Sequence, residues 1–324
     1  MNEPAEPIPG APQPYPYPPA PPQRRSRAWI WFLVGGGLFL GFCAVVVTFM
    51  VIASRSFSAS GDGFSAFGGN IAVVDIDGEI LSADTVVDQL RRYNEDSSVK
   101  AIILHIDSPG GAAAPSQEIY HEVLSIREHH RKPIVASIES VGASGAYYIA
   151  SAADKIYAND ASVVGSIGVI MEWTNYGGLL QWAKLKPEVI HAGSLKDAGD
   201  PSRELTPEER VYFQGLVDNM YGQFVHDVAV GRNLPVAQVQ SLATGQVWTG
   251  QEALPLHLID EAGGFRVALL QTARSVGIHG EPTVVKPIVY HRSLWDILTS
   301  NGEDLFPNPG KILDHHAGFY FLWR

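Results

Sequence analysis

Val99-Lys-Ala-Ile-Ile-Leu-His-Ile106, running straight into Asp107-Ser-Pro-Gly-Gly111, is a β-branched apolar run of strand length that ends on a glycine pair. Two runs of the same kind flank it, Ile71 to Ile76 (IAVVDI) and Pro133 to Ile138 (PIVASI). Between them lie stretches of helical length and pattern, around Ala83 to Tyr93 and Gln117 to His130. Strands that are apolar on both faces need cover on both, and alternation with helices supplies it. The pattern predicts an α/β fold with a parallel sheet.

Downstream, Thr206, Pro207 and Glu209 form an N-cap, a proline at the first helical position and a capping-box partner, which opens a long helix to about Val230. A shorter helical stretch from Pro235, another from Phe265 to Val276 and a strand-like run from Thr283 to Tyr290 follow. Upstream, residues 1–27 are dominated by proline with a basic cluster at Arg24, Arg25 and Arg27, a composition that cannot build a core and reads as a disordered tail. Residues 28–54 contain no charged side chain, and about 20 apolar residues suffice for a helix to cross a bilayer, so this is a transmembrane candidate. Three arginines precede it and Trp29 and Trp31 sit at its edge, which predicts a cytoplasmic tail and an extracytoplasmic remainder. Residues 55–70 read as a linker, 71–290 as the folded domain and 291–324 as a C-terminal extension.

Composition narrows the function. With 46% apolar residues the chain can bury an enzyme-sized core, and 23 basic against 34 acidic residues give a net charge of −11 that repels nucleic acid. The single cysteine, Cys43, excludes an internal disulfide and any thiolate metal cluster.

Several residues can carry chemistry. Gly110-Gly111 at a strand end can expose backbone N–H groups to an oxyanion, or can be a plain turn. Ser144, within Gly142-Ala-Ser-Gly145, sits at a strand-to-helix joint that suits a nucleophile and equally suits an N-cap. Serine needs a base, yet His121, His129 and His130 fall on a polar helix face and His191 in a strand run, none within a motif. Lysine is the alternative base, because burial lowers its proton affinity. Lys196 follows a strand-like run, Val189 to Ala192, but composition does not single it out.

The ordered strings Asp107-Ser-Pro-Gly-Gly111, Gly142-Ala-Ser-Gly-Ala-Tyr-Tyr148, Val164-Gly-Ser-Ile-Gly-Val-Ile170, Gly193-Ser-Leu-Lys-Asp197 and Pro201-Ser-Arg203 closely resemble the bacterial signal peptide peptidase A (SppA-type) family. The resemblance extends in order from about Ile71 to Gly264. It implies a ClpP/crotonase-like fold of repeated ββα units, with Ser144 as nucleophile, Lys196 as general base and Ser166 holding the lysine amine. It places the oxyanion donors at Gly111 and Gly145. Ala146 stands where a second glycine is expected, and Ala112 to Ala114 are smaller than many relatives carry; both bear on pocket shape. The chemistry implied needs no metal and no cofactor, and the short form of the family assembles so that neighbours complete each other's sites.

The reading that follows is a membrane-anchored Ser/Lys peptidase that hydrolyses apolar peptides, remnant signal peptides among them, as a homo-oligomer. Two rivals remain beside it: a crotonase-like acyl-CoA hydratase or isomerase, which would leave Ser144, Ser166 and Lys196 without a purpose, and a non-catalytic scaffold whose tail binds a partner. The apolar end, Gly318-Phe-Tyr-Phe-Leu-Trp-Arg324, is either a strand packed on the core or a contact with a neighbour or the membrane.

Overall fold

A computed structural model describes residues 70–130, 132–286 and 318–323 of the chain. In chain order the elements are β1 (Asn70–Asp77), α1 (Asp84–Glu95), β2 (Val99–Ser108), β3 (Gly110–Ala112) and α2 (Ala113–Ser125), the last continued by a π-turn over Ile126–His130. Next come β4 (Ile134–Ala143), α3 (Gly145–Ser151), β5 (Lys155–Ala158), β6 (Val163–Gly165), β7 (Ile170–Glu172) and α4 (Gly177–Trp182). The long α5 (Pro207–Arg232) is followed by α6 (Val236–Leu242), β8 (Val247–Thr249), α7 (Gly250–Ala253), β9 (Glu261–Ala262), α8 (Phe265–Ser275), β10 (Thr283–Val285) and β11 (Gly318–Leu322).

The main sheet has the order β10-β1-β2-β4-β5-β9, every pair along that path parallel. Its central strands are apolar on both faces, as the sequence predicts, because helices cover both sides. Val74, Leu104 and Ala136 pack toward α1, α2 and α3, while Ile71, Val73 and Ile103 meet Leu269 and Ala273 of α8. The three founding strands fall where the β-branched runs lie, but β4 is longer than expected. It runs past Glu139 to Ala143, and its two halves have different neighbours: Val135–Ile138 pair with β5, Val141–Ala143 with β6. That split opens the sheet beside the residue that follows Ala143.

The capping box of Thr206 and Glu209 forms as expected and α5 runs to Arg232. Its C-terminal half carries buried Phe224, Val225, Val228 and Ala229 onto α3. Burying one such side chain contributes about 1.5–3 kcal/mol. The crossing is close enough that a methyl group on Gly231 would come within 2.2 Å of the Ser151 carbonyl oxygen, so only glycine fits there.

One expected strand does not form. Val189 to Ala192 pairs with nothing among the described residues, and Val189 and Ile190 are exposed, the latter completely. The apolar run continues an outward-facing arm that begins with Leu179 and Trp182 of α4. Of the expected strand from Thr283 to Tyr290, the first three residues form β10, and residues 287–290 lie outside the described residues. No helix among the described residues is long and apolar enough to cross a membrane; residues 28–54 lie outside them.

Candidate active site

The chain turns sharply at the end of β4. Ser144 has φ of 53°, between Ala143 in the strand and Gly145, the first residue of α3, and its hydroxyl makes no capping hydrogen bond. The N-cap alternative thus fails on geometry. A serine with positive φ is held there only if its surroundings over-determine it. They do: the Ser144 N–H donates to the Gly165 carbonyl (2.7 Å) and the Ser144 carbonyl accepts from the Tyr148 N–H (2.8 Å).

Ser166 repeats the conformation at the end of β6, with φ of 54° and its N–H donating to the Gln246 carbonyl (2.8 Å). Because Ala143 and Gly165 are register partners in a parallel pair, Ser144 and Ser166 leave adjacent strand ends side by side, roughly 5 Å apart by strand spacing. Both are buried. Ser166 borders a cavity of about 480 Å³ whose lining also includes Ile170, Tyr221, Gly245, Leu322 and Trp323. That lining contributes no lysine.

The glycine pair forms β3, the edge of a three-stranded antiparallel sheet of order β3-β11-β7. Ile80 N–H donates to the Gly110 carbonyl (2.9 Å) and Ala112 N–H to the Ile80 carbonyl (2.8 Å), which leaves the N–H and carbonyl of Gly111 facing β11. Trp323 N–H donates to the Pro109 carbonyl (2.8 Å), and hydrogen-bonded pairs in an antiparallel ladder recur every second residue. Phe321 opposite Gly111 is therefore the next such pair, with the Gly111 N–H directed at the Phe321 carbonyl. A methyl group on Gly110, at φ 99°, would lie 2.1 Å from that same oxygen and 2.6 Å from the Gly145 nitrogen. A peptide carbonyl thus sits against Gly110, Gly111 and Gly145, the two expected oxyanion donors among them.

The Phe321 ring is buried between Phe224 (centroids 4.7 Å apart) and Tyr148 (5.4 Å, edge-to-face). Tyr148 stacks on Tyr120 at 4.7 Å and its hydroxyl donates to the Asp227 carboxylate. Burial first, and then the Asp227 carboxylate, push its phenol well above the usual range. The ring acts here as a neutral wall.

Lys196 is not brought to Ser144. It is exposed on the turn after Gly193, and among the described residues no hydrogen bond or ion pair joins it to either serine. The turn itself is pinned. The Arg203 guanidinium donates to the Asp197 carbonyl and carboxylate (both 3.0 Å) and to both oxygens of Glu209 (2.6 and 2.9 Å). The Arg203 guanidinium holds the Glu209 carboxyl down at about 2, and the Thr206 N–H adds to the effect. Sequence spacing gives no sign of this Asp197–Arg203–Glu209 bridge, although Arg203 belongs to the Pro201-Ser-Arg203 motif. Of the histidines weighed as bases, His191 faces Asp197 and its own turn, and His121 lines a polar cleft between α2 and α5.

A strained, buried serine beside glycines that lie against a peptide carbonyl is an arrangement suited to acyl transfer. Fold and site together define an α/β serine hydrolase. Residues 126–279, which include Ser144, Ser166 and Lys196, match peptidase family S49. A putative protease of Synechocystis is 41% identical over 195 residues, covering 60% of this chain and 69% of its own. A putative protease of Methanocaldococcus jannaschii is 31% identical over 79% of this chain and 87% of its own. A putative signal peptide peptidase SppA of Enterococcus faecium is 37% identical over 54% of this chain and 51% of its own. The chain belongs to peptidase family S49, the SppA-type serine proteases.

Proposed function

We propose that the enzyme is a membrane-anchored endopeptidase with a Ser144/Lys196 dyad, hydrolysing apolar peptides such as remnant signal peptides at the extracytoplasmic face. Supporting this is the seating of a peptide carbonyl against Gly111 and Gly145 next to Ser144. The neutral Lys196 amine takes the Ser144 proton, and the alkoxide adds to the carbonyl while Gly111 and Gly145 N–H groups stabilise the oxyanion. The ammonium protonates the departing amine, leaving an acyl-Ser144 ester. A water then loses its proton to the amine and attacks that ester, releasing the carboxylate and restoring the hydroxyl.

Within one chain the base is missing from reach, so the reading requires a homo-oligomer in which Lys196 comes from a neighbouring copy. The exposed apolar arm through Leu179, Trp182 and Ile190 leads to Lys196, and the cavity beside Ser166 is open to receive an amine. The parallel sheet that divides at β4 supports the ClpP/crotonase-like stack of ββα units. The tail, residues 1–27, would be cytoplasmic and residues 28–54 the anchor, a tether that concentrates the site where apolar peptides partition. The crotonase-like alternative has no observation in its favour, since no carboxylate lines the cavity beside Ser166.

The test is hydrolysis of an apolar peptide by the full chain with Ser144→Ala or Lys196→Ala. Each is expected to lower kcat by roughly 10⁴-fold or more without changing thermal stability by more than a degree or two. Wild-type turnover in either variant would sink the dyad.

A further inference from the structure

The string Asp107-Ser-Pro-Gly-Gly111 opens on a carboxylate for which neither the nucleophile turn nor the glycine pair accounts. Its place in the sheet is unusual. β2 and β4 run in register as far as Ile106 opposite Ile138 and resume at Ser108 opposite Gly142, so Asp107 alone stands against Glu139, Ser140 and Val141. This is a bulge in β4, and it falls where that strand exchanges β5 for β6 as its neighbour. A bulge leaves backbone groups without ladder partners, and a part-buried N–H left unpaired is costly. Here the Val141 N–H donates to the Asp107 carboxylate (Oδ1, 3.0 Å), and the Glu139 carbonyl accepts from the Ser162 hydroxyl. Asp107 is itself a fixed post: it pairs with Asp77 of β1, and its carbonyl accepts from the Gly78 N–H (3.0 Å). Three residues beyond Val141 the chain reaches Ser144, and four beyond Asp107 it reaches Gly111. One side chain thus ties the strand end that leads to Ser144 to the strand end that leads to the glycine pair. The second of these is stiffened by Ser108, whose buried hydroxyl accepts from the Gly110 N–H (3.1 Å).

We propose that Asp107 is a positioning residue for acyl transfer: by holding the Val141 N–H it fixes the β4 bulge, and with it the offset between Ser144 and the Gly111 and Gly145 N–H groups. This rests on the peptidase reading of the Ser144 site. The carboxylate acts through the Val141 backbone, so its effect falls on alignment. A misplacement of about 1 Å costs on the order of 100-fold in turnover, whereas binding of an extended peptide is spread over many contacts. Loss of the tie therefore lowers kcat and spares KM. What the bulge requires is an acceptor at the Oδ1 position and not a negative charge. Asparagine supplies that acceptor; glutamate, one methylene longer, carries the charge past it.

The test is made on the full chain and reads kcat and KM for an apolar peptide, the rate at which a fluorophosphonate labels Ser144, and hydrogen exchange of residues 139–143. Asp107→Ala is expected to lower kcat by about 10- to 100-fold with KM within about twofold, and to slow labelling to a similar degree. Exchange of the Val141 amide should quicken about tenfold. Asp107→Asn should restore all of these to within about threefold of the unaltered chain. Asp107→Glu should behave like the alanine variant, and it reads the proposal where the alanine variant does not fold. Should Asp107→Ala melt at a lower temperature yet keep its kcat and labelling rate, the residue is structural only and the proposal fails. An inactive asparagine variant beside an active glutamate one would assign the effect to charge and overturn it equally. Hydrolysis that persists in full-length Ser144→Ala would instead overturn the peptidase reading itself.

Discussion

Ser144 and Ser166 share an uncommon backbone, φ near +50° for a non-glycine residue, which costs on the order of 1–3 kcal/mol each. Both serines turn the chain off the ends of neighbouring parallel strands, and short backbone bonds to Gly165 and Gln246 hold the turns in place. On the proposed dyad reading Ser166 is a positioning residue, beside Ser144 and bordering the cavity that would admit an amine. Ser166→Ala is expected to lower kcat by about 10- to 100-fold with KM little changed, and to move the alkaline rise of the pH–rate profile, because the amine loses a partner that fixes its proton transfer. A purely structural role would leave that profile where it is. Ser144 was legible as a candidate from its glycine-flanked joint alone, and equally legible as an N-cap. The sequence carries no sign of φ, so only the fold removed the second reading.

At the scale of elements, the arm from α4 to α5 is tied down by one arginine. Arg203 joins the carboxylate of Asp197, one residue beyond the candidate base, to Glu209 in the first turn of α5. Glu209 titrates near 2 in the folded chain against an ordinary 4.5, so its contribution is present above pH 4.5 and fades as pH falls toward 2. Amides of residues 197–209 should therefore lose hydrogen-exchange protection over that interval, with melting falling by a few degrees. In Arg203→Ala the same amides should already be unprotected at neutral pH and the acid dependence should flatten. The capping box that starts α5 was plain in the sequence because it is a local pattern. The bridge was not, since a loop arginine followed six residues later by a glutamate has many possible geometries. The strand expected at Val189 to Ala192 failed for a related reason: a β-branched run forms a strand only where an edge awaits it, and here the arm turns its apolar side chains outward.

Across the whole molecule, one chain brings Ser144 beside Ser166 and near Gly111 and Gly145, and leaves Lys196 exposed. If the base comes from a neighbour, inactive variants should rescue each other. Co-expressed Ser144→Ala and Lys196→Ala chains, mixed at random in a ring, should regain about a quarter of wild-type turnover, since that fraction of sites joins an intact serine to an intact lysine. Mixed oligomers that stay inactive would exclude the shared site. The sequence by itself determined the parallel α/β sheet, the helix that caps with Thr206 and the strings that carry Ser144, Ser166 and the glycines. Those are set by short-range hydrophobic period, capping chemistry and local turns. The tertiary structure alone decided that β4 divides between β5 and β6, that Lys196 stands apart from Ser144, and that Phe321 lies on Gly111. Pairings between residues tens to hundreds of positions apart depend on which edges remain open once the sheet has formed, and no local pattern records that.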